Sequence, residues 1–284
     1  MKIKGSTNIV GLIGHPVSHS FSPPMHNEAF RDLNLDYAYL AFDVVADNLK
    51  NAIEGAKALN IKGLNVTIPH KINVIPYLDE LDEIAALIGA VNTIDFKEMK
   101  GYNTDGIGAV KAIEEVTSIK NKKIVVAGAG GASRAISFYL AKYNAESITI
   151  LNRNQKNADK LAGDILNSNL CPNVCSDSIT TIDSAISDAD ILINTTPVGM
   201  HPKCDEKPIT TSLSINEDMV VFDAVYNPNE TGLLKETLKA GATPVYGIKM
   251  LLYQGAESFK IWTSCNPPVD VMESALKSTL NLGD

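Results

Sequence analysis

Short apolar runs alternate with amphipathic segments along most of the chain. In the amino-terminal part, apolar runs predict strands over 8–14, 37–43 and 63–68, and apolar positions three or four residues apart predict helices over 25–33 and 47–59. Because strand and helix follow one another in the order β-α-β-α-β, we expect these strands to form a parallel sheet.

The alternation continues towards the carboxyl terminus. The further predicted elements are a helix over 81–88, a strand over 90–94 joined by a turn to 102–106, a helix over 107–116, strands near 124–127, 147–151, 190–193 and 219–222, and helices over 249–262 and 268–280. This pattern is typical of an α/β protein.

A glycine-rich turn follows the apolar run 124–127. Gly128, Gly130 and Gly131 stand where a nucleotide-binding fold turns sharply from a strand into a helix. Glycines there let the backbone approach a pyrophosphate, and the helix N-terminus attracts the negative charge. The third motif position is Ser133, where glycine or alanine is usual, and an ordinary strand-to-helix turn is the alternative interpretation.

The end of the next predicted strand bears on the choice of cofactor. A dinucleotide-binding fold places the group that contacts the adenosine ribose about 20 residues after the glycines. An acidic residue there would bind the hydroxyls of NAD, whereas this chain has Asn152-Arg153-Asn154. Because an arginine can pair with a 2′-phosphate and stack on adenine, the sequence favours NADP. The alternative is that Arg153 is a solvated surface charge.

These features predict the domain organisation. At 284 residues the chain is long enough for two domains. We predict two open α/β domains: a Rossmann-like NADP-binding domain over 106–244, and a second domain with a mainly parallel sheet over 1–105 plus 245–284. The last two helices would pack on this second domain, which is therefore discontinuous in sequence.

Polar side chains follow several predicted strands, at the edge where ligands bind in open α/β folds. Ser20 and Ser22 alternate in an extended loop and could face one polyhydroxylated ligand, although Ser22 could equally cap the next helix. The segment 65–71 ends in a lysine, which by base rate is more often a surface charge. The segment 194–200 also follows a predicted strand, so it lies at the same carboxyl edge of the sheet as the glycine turn.

Composition narrows the class of protein. The net charge of −8 argues against nucleic-acid binding, and no apolar run approaches the roughly 20 residues of a membrane helix. No signal-peptide cleavage pattern is present, so we expect a cytoplasmic protein. The four cysteines match no common zinc spacing and are expected to be free thiols, and Pro16 separates His15 from His19, so no metal is predicted.

The chain resembles the shikimate dehydrogenase family over essentially its whole length. The resemblance is carried, in the family's order, by HSFSP at 19–23, NVTIPHK at 65–71, GAVNT at 89–93, NTDG at 103–106, GAGGAS at 128–133, NTTPVGM at 194–200 and YQGAESF at 253–259. It implies a two-domain oxidoreductase that reduces 3-dehydroshikimate to shikimate with NADPH, in the biosynthesis of chorismate and the aromatic amino acids. It also implies that the domain over 1–105 plus 245–284 is the substrate-binding and catalytic domain.

The resemblance also implies roles for individual residues. The catalytic pair would be Lys71 and Asp105. The substrate would be bound by Ser20, Ser22, Asn65, Thr67, Lys71, Asn92, Asp105, Tyr226 and Gln254. NADP would be bound by Gly128, Ala129, Gly130, Gly131, Ala132, Ser133, Asn152, Arg153, Asn154, Thr195, Thr196, Pro197, Val198, Met200, Val225, Gly247 and Met250.

Two departures from the family pattern leave alternatives open. Asn154 stands where a threonine is frequent, and Lys249 replaces a glycine in the segment 247–251. One alternative is therefore a broader quinate/shikimate dehydrogenase that uses NAD and NADP. The other is a non-catalytic NADP-binding sensor, against which the presence of both Lys71 and Asp105 speaks.

We expect the protein to bind its small-molecule substrate as a monomer or homodimer. We also expect a hinge between the two domains near 105–108 and 243–247.

Overall fold

The computed structural model describes residues 3–280. The chain folds into two compact units, one formed by residues up to Thr104 together with those from Leu252 onward, and one formed by Asp105–Leu251. The second unit thus extends past the predicted bound at 244. Within 3–280, no helix combines the length and the apolar character needed to cross a membrane.

The first unit contains a six-stranded sheet with helices on it. Its strands are β1 (Asn8–Gly14), β2 (Tyr37–Asp43), β3 (Gly63–Val66), β4 (Glu80–Leu81), β5 (Thr93–Asp95) and β6 (Lys100–Tyr102). Its helices are α1 (Ser22–Asp32), α2 (Leu49–Ala58), α3 (Glu83–Ile88) and α10 (Val269–Thr279). The strand order is β2-β1-β3-β5-β6-β4.

The register of this sheet brings polar residues together. β1 runs parallel to β2 and β3, as the β-α-β-α-β pattern predicted, with Leu12 beside Asn65. β5 runs antiparallel to β3 and sets Thr93 opposite Asn65. Residues directly opposite in a ladder point to the same face, so the side chains of Asn65 and Thr93 can bond to one another.

The second unit contains a six-stranded, entirely parallel sheet. Its strands are β7 (Lys123–Ala127), β8 (Ser147–Asn152), β9 (Val174–Ser178), β10 (Ile191–Asn194), β11 (Val220–Asp223) and β12 (Thr243–Tyr246). Its helices are α4 (Asp105–Glu114), α5 (Gly131–Lys142), α6 (Gln155–Asn167), α7 (Ile182–Ala185) and α8 (Gly232–Lys239), with α9 (Gly247–Thr263) beginning in this unit.

The strand order of the second sheet, β12-β11-β10-β7-β8-β9, is that of a dinucleotide-binding fold. The chain reverses its direction of progress across the sheet between β7 and β10, which pair with Ala127 beside Asn194. In open α/β sheets, ligands bind at such a switch point, outside the carboxyl ends of the strands. The Rossmann-like part of the predicted fold class is confirmed.

Several predicted element bounds were wrong. Helix α1 begins at Ser22 and not at residue 25, because prolines are tolerated in the first turn of a helix, where the N–H groups have no partner within it. Helix α4 begins at Asp105 and not at residue 107. Strand β9 was not predicted because its sequence, VCSDS, lacks an apolar run, and β4 and β12 were also missed. The segment predicted after the turn at 102–106 was placed too late in the chain, because β6 ends at Tyr102.

Candidate functional site

The glycine turn of the second unit joins β7 to α5. Gly128 has φ +112°, in the region that favours glycine, and its N–H donates to the carbonyl oxygen of Leu151 at 2.7 Å. A Cβ at Gly128 would overlap the Thr195 hydroxyl, whereas Gly130 and Gly131 are exposed and a Cβ there would meet nothing within 4 Å. The turn therefore presents an open backbone concavity at the N-terminus of α5, which fits a pyrophosphate.

Ser133 occupies the third position of the glycine motif, where glycine or alanine is usual, and its contacts explain why a serine fits there. Its side chain is fully buried, and its hydroxyl donates to the carbonyl oxygen of Gly128 at 2.7 Å. This hydrogen bond satisfies the hydroxyl locally. The serine therefore closes the turn and does not point its hydroxyl at a ligand.

The segment after β8 combines a helix cap with an exposed cation. The Asn154 side-chain oxygen accepts the backbone N–H of Lys156 at 3.1 Å and caps α6, while the Asn152 amide donates to the Asn154 carbonyl oxygen at 3.1 Å. Arg153 is exposed between them. The asparagines thus fix the backbone, and the exposed Arg153 guanidinium between them is available to meet an anion.

Two threonines lie on the other side of the switch point, after β10. The backbone N–H and the hydroxyl of Thr195 both donate to the carbonyl oxygen of Ala127, at 2.8 and 2.7 Å. The N–H and hydroxyl of Thr196 both donate to the side-chain oxygen of Asn194, at 3.0 and 2.7 Å. These bonds fix the start of the loop that continues through 197–200.

Asp223, the last residue of β11, was missed by sequence reasoning. It is fully buried and accepts hydrogen bonds from the Asn194 amide at 2.9 Å, the Val225 N–H at 3.0 Å and the Thr231 hydroxyl at 2.6 Å. Burial raises the pKa of this carboxyl to about 6, and the three donors oppose the rise. A lone acidic residue ending an apolar strand was the signal available in the sequence.

The residues beyond β11 and β12 approach each other closely. A Cβ at Gly247 would come within 2.6 Å of the Val225 carbonyl oxygen and 2.7 Å of the Asp223 carbonyl oxygen, so glycine is required there. Tyr226 follows Val225, and burial raises the pKa of its phenol. Met250 lies half-buried in the first turn of α9.

In the first unit, the two predicted serines lie where β1 leads into α1. The Ser20 hydroxyl accepts the backbone N–H of Ser22 at 3.3 Å. The prediction that Ser22 caps this helix was wrong, because Phe21 is the N-cap residue and Ser22 is the first helical residue. Ser22 is buried, and a hydrogen bond with Ser22 opposes the rise in the Tyr39 pKa that burial causes.

A buried polar network lies below these serines. The Tyr39 hydroxyl donates to the side-chain oxygen of Asn65 at 2.8 Å, and the Asn65 amide lies 3.0 Å from the Thr93 hydroxyl and 2.9 Å from that of Ser258. The Ser258 hydroxyl is also 3.0 Å from the carbonyl oxygen of Gln254. Sequence reasoning found Asn65 and Gln254 but missed Tyr39, Thr93 and Ser258, since their partners are remote in the chain.

Asn92 extends this network. Its side-chain oxygen accepts the N–H of Thr104 at 2.7 Å, and the Thr93 hydroxyl lies 3.0 Å from the same oxygen. Asn92, Thr93 and Thr104 are all buried. Because buried amides and hydroxyls satisfy one another here, the network holds the polar edge of the sheet in one arrangement.

The two predicted catalytic residues have firmly held backbones. The Val91 N–H donates to the carbonyl oxygen of Lys71 at 2.8 Å, and the preceding His70 is fully buried with its ring 2.6 Å from the Val44 carbonyl oxygen. Asp105 is the first residue of α4, next to Gly106, where a Cβ would collide with the Ala135 carbonyl of α5. Tight α4–α5 packing therefore fixes the start of α4.

The structure separates the predicted site residues into two sets. The first unit contains Ser20, Ser22, Asn65, Thr67, Lys71, Asn92 and Gln254. The second unit contains Asp105, Tyr226 and all the residues predicted to bind the cofactor. Among residues 3–280, no group of three or more His, Cys, Asp or Glu side chains could hold a metal ion.

Comparison with known proteins gives consistent matches. Family models match residues 12–94 (shikimate dehydrogenase substrate binding domain), 110–229 (shikimate/quinate 5-dehydrogenase) and 247–277 (shikimate 5′-dehydrogenase C-terminal domain). A shikimate dehydrogenase (NADP+) of Methanobrevibacter smithii is 70% identical over 280 residues, covering 99% of this chain and 100% of the relative.

Solved structures match over the same extent. A crystal structure of a shikimate dehydrogenase in complex with NADP+ has a TM-score of 0.92 at 50% identity, covering 98% of each chain. A shikimate 5-dehydrogenase from Listeria monocytogenes in complex with shikimate and NAD has a TM-score of 0.93 at 38% identity, covering 97% of this chain and 98% of that one.

Proposed function

Because the chain belongs to the shikimate dehydrogenase family, we propose that it catalyses the reversible, NADPH-dependent reduction of 3-dehydroshikimate to shikimate. The 70% identity to a shikimate dehydrogenase (NADP+) over 99% of the chain carries this proposal. The glycine turn and the exposed Arg153, both at the carboxyl edge of a dinucleotide-binding sheet, support the choice of cofactor.

NADP would lie on the second unit. The open backbone from Gly128 to Gly131 would hold the pyrophosphate, and Arg153 would pair with the 2′-phosphate of the adenosine. Thr195 and Thr196 would contact the rest of the cofactor, together with the residues predicted around them. When bound, NADPH supplies a hydride to the carbonyl carbon of the substrate.

The first unit would hold the polyhydroxylated substrate. Ser20, Ser22, Thr67, Asn92 and Gln254 offer hydroxyls and amides to its carboxylate and hydroxyl groups. Asn65 is itself buried, with both ends of its amide engaged in the network below the serines. Its contribution would therefore be to keep the neighbouring groups in place.

Lys71 would act as the general acid of the reduction and as the general base of the reverse reaction. Negative charge develops on the ketone oxygen as the carbonyl is reduced, and an ammonium group can stabilise that charge and then donate a proton to it. In the reverse direction, the neutral amine would accept the hydroxyl proton of shikimate. Asp105 would be the second member of the catalytic pair that the family resemblance implies.

Steady-state assays with shikimate and quinate, each with NADP and NAD, test the proposed function. We expect the highest kcat/KM with shikimate and NADP. Comparable values with quinate and NAD would instead assign the chain to a broader quinate/shikimate dehydrogenase. Binding of NADP without turnover of either substrate would make it a sensor and overturn the proposal.

The cellular setting is part of the same proposal. A biosynthetic enzyme using NADPH would act in the cytoplasm, where cysteines stay reduced, and Cys171, Cys175, Cys204 and Cys265 are free thiols. The protein would work as a monomer or homodimer. Sedimentation of the purified protein with and without NADP measures which of the two forms exists.

A further inference from the structure

We propose that Asp223 is a positioning residue for the nicotinamide half of bound NADP, because its buried carboxylate holds the loops that follow β10 and β11. Asp223 does not belong to the set of residues that the family resemblance predicts to contact a ligand. The inference rests on the proposed function, since these loops receive a nicotinamide only if the second unit binds NADP.

The strand order indicates which half of the cofactor these loops meet. A dinucleotide crosses the switch point of such a sheet, with its pyrophosphate at the glycine turn after β7. Arg153, after β8, marks the adenosine side of that turn. β10 and β11 lie on the opposite side of β7 in the order β12-β11-β10-β7-β8-β9, so their loops face the nicotinamide half.

The Asp223 carboxylate joins both loops. One of its oxygens accepts the Asn194 amide at 2.9 Å from the end of β10 and the Val225 N–H at 3.0 Å from the loop after β11. The Ala224 N–H also donates to the Asn194 carbonyl oxygen at 2.9 Å. Loss of the carboxylate would leave two buried donors without their acceptor, and the loops would lose their common anchor.

Asn194 transmits this anchoring to the threonine that follows. Its amide donates to Asp223, which fixes the orientation of the side chain and turns its oxygen towards Thr196. That oxygen accepts both the N–H and the hydroxyl of Thr196, at 3.0 and 2.7 Å. The position of Thr196 therefore depends on a residue of the neighbouring strand.

The second carboxylate oxygen serves a helix and not a loop. It accepts the hydroxyl of Thr231 at 2.6 Å, and the Thr231 oxygen in turn accepts the N–H of Leu234 as the N-cap of α8. Asp223 thus also has a purely structural contact. A test must separate a general loss of stability from a specific loss of loop position.

An asparagine at position 223 can reproduce most of these contacts. Its side-chain oxygen can accept from Asn194 and Val225, and its amide can donate to the Thr231 hydroxyl, which is also an acceptor. Asp223→Asn is therefore the matched rescue variant for Asp223→Ala. It keeps the arrangement of the loops while removing the charge.

The experiment measures binding of NADP and of adenosine 2′,5′-bisphosphate to the full-length protein by titration calorimetry. The bisphosphate contains the adenosine half and the 2′-phosphate but no nicotinamide. For Asp223→Ala we expect the Kd for NADP to rise about tenfold or more, since hydrogen bonds to a charged group are lost. The Kd for the bisphosphate should stay within about twofold, and Asp223→Asn should restore NADP binding to within about threefold of wild type.

Equal weakening of NADP and the bisphosphate, or no weakening of either, would overturn the proposal. Should Asp223→Ala fail to fold, Asn194→Ala takes its place, because it detaches Thr196 and leaves the bonds of Asp223 to Val225 and Thr231. The same selective loss of NADP is then expected. Failure of the wild-type protein to bind NADP would instead overturn the proposed function, so the two failures are distinguishable.

Discussion

The ammonium group of Lys249 lies 3.2 Å from a carboxylate oxygen of Glu115, within the second unit. Lys249 occupies the first turn of α9, at a position where the family pattern has glycine, and Glu115 directly follows α4. The ion pair accounts for a lysine close to the predicted cofactor residues Gly247 and Met250. Its charge is directed to a partner on the protein.

We predict that Lys249→Met changes the ratio of NADP to NAD affinity by less than about twofold, since the lysine serves a partly exposed ion pair. The free energy of unfolding should fall by about 1 kcal/mol or less. A double-mutant cycle with Glu115→Gln in denaturant titrations measures the coupling of the pair. A changed cofactor ratio in Lys249→Met would show that the ammonium acts on the cofactor.

Gly128→Ala should weaken NADP binding by about tenfold and destabilise the fold by about 1–3 kcal/mol, because an L-residue is strained at φ +112° and its Cβ would overlap the Thr195 hydroxyl. The matched control is Gly163→Ala in α6, where a Cβ meets nothing within 4 Å. Alanine should stabilise that helix by about 0.5–1 kcal/mol. Chemical denaturation measures the free energy of unfolding of both variants, and titration measures their affinity for NADP. Equal changes in Gly128→Ala and Gly163→Ala would contradict the prediction.

Arg153→Ala should raise the KM for NADPH much more than the KM for NADH, because only NADPH carries the 2′-phosphate that the guanidinium would bind. A loss of about 10- to 100-fold in the NADPH/NADH preference is expected for one charge-assisted contact. Arg153→Lys retains the charge but not the forked set of N–H donors. Its NADPH/NADH preference should therefore lie between those of wild type and Arg153→Ala. Equal losses for both cofactors would show that Arg153 does not contact the phosphate.

Lys71→Ala should lower kcat by several powers of ten, about 10²–10⁴-fold for a lost general acid, while the affinity for shikimate falls less. Lys57→Ala, which removes an exposed lysine of α2, is the control and should retain full turnover. Single-turnover kinetics with NADPH would separate the chemical step from binding. Near-normal turnover by Lys71→Ala would remove this residue from the mechanism.

Local features were readable from the sequence and remote ones were not. The glycine turn was predicted because Gly128, Gly130 and Gly131 directly follow their strand, so that spacing alone carries the signal. The role of Asp223 was missed because it depends on Asn194, 29 residues earlier in the chain. Such a contact exists only once the sheet order has brought β10 and β11 side by side.

The first unit shows the same limit. The hydroxyl of Ser258 meets the amide of Asn65 across 193 residues of sequence, and neither position has a local pattern that indicates the other. The helix-cap prediction for Ser22 failed for a related reason. A serine before an apolar segment suggests a cap, but Pro23 and Pro24 allow the helix to begin at the serine itself.

The stability of the protein should depend on pH through Asp223. Burial raises the pKa of its carboxyl from 3.8 to about 6, so the folded state binds the proton more tightly than the unfolded chain does. The resulting stabilisation is fully present below about pH 4 and is lost as the pH rises through about 6. A difference of about two pKa units corresponds to about 3 kcal/mol of unfolding free energy.

Asp223→Asn does not titrate, and its amide imitates the hydrogen bonds of the protonated acid. Relative to this variant, wild type should therefore lose about 3 kcal/mol of unfolding free energy between pH 4 and pH 7, with the steepest change near pH 5. Urea denaturation at half-unit pH intervals measures the difference. Asp47→Asn, at an exposed position, corrects for the loss of one negative charge in general. A wild-type-minus-Asn difference that stays constant from pH 4 to 7 would mean that the hydrogen bonds from Asn194, Val225 and Thr231 offset the burial of the carboxylate.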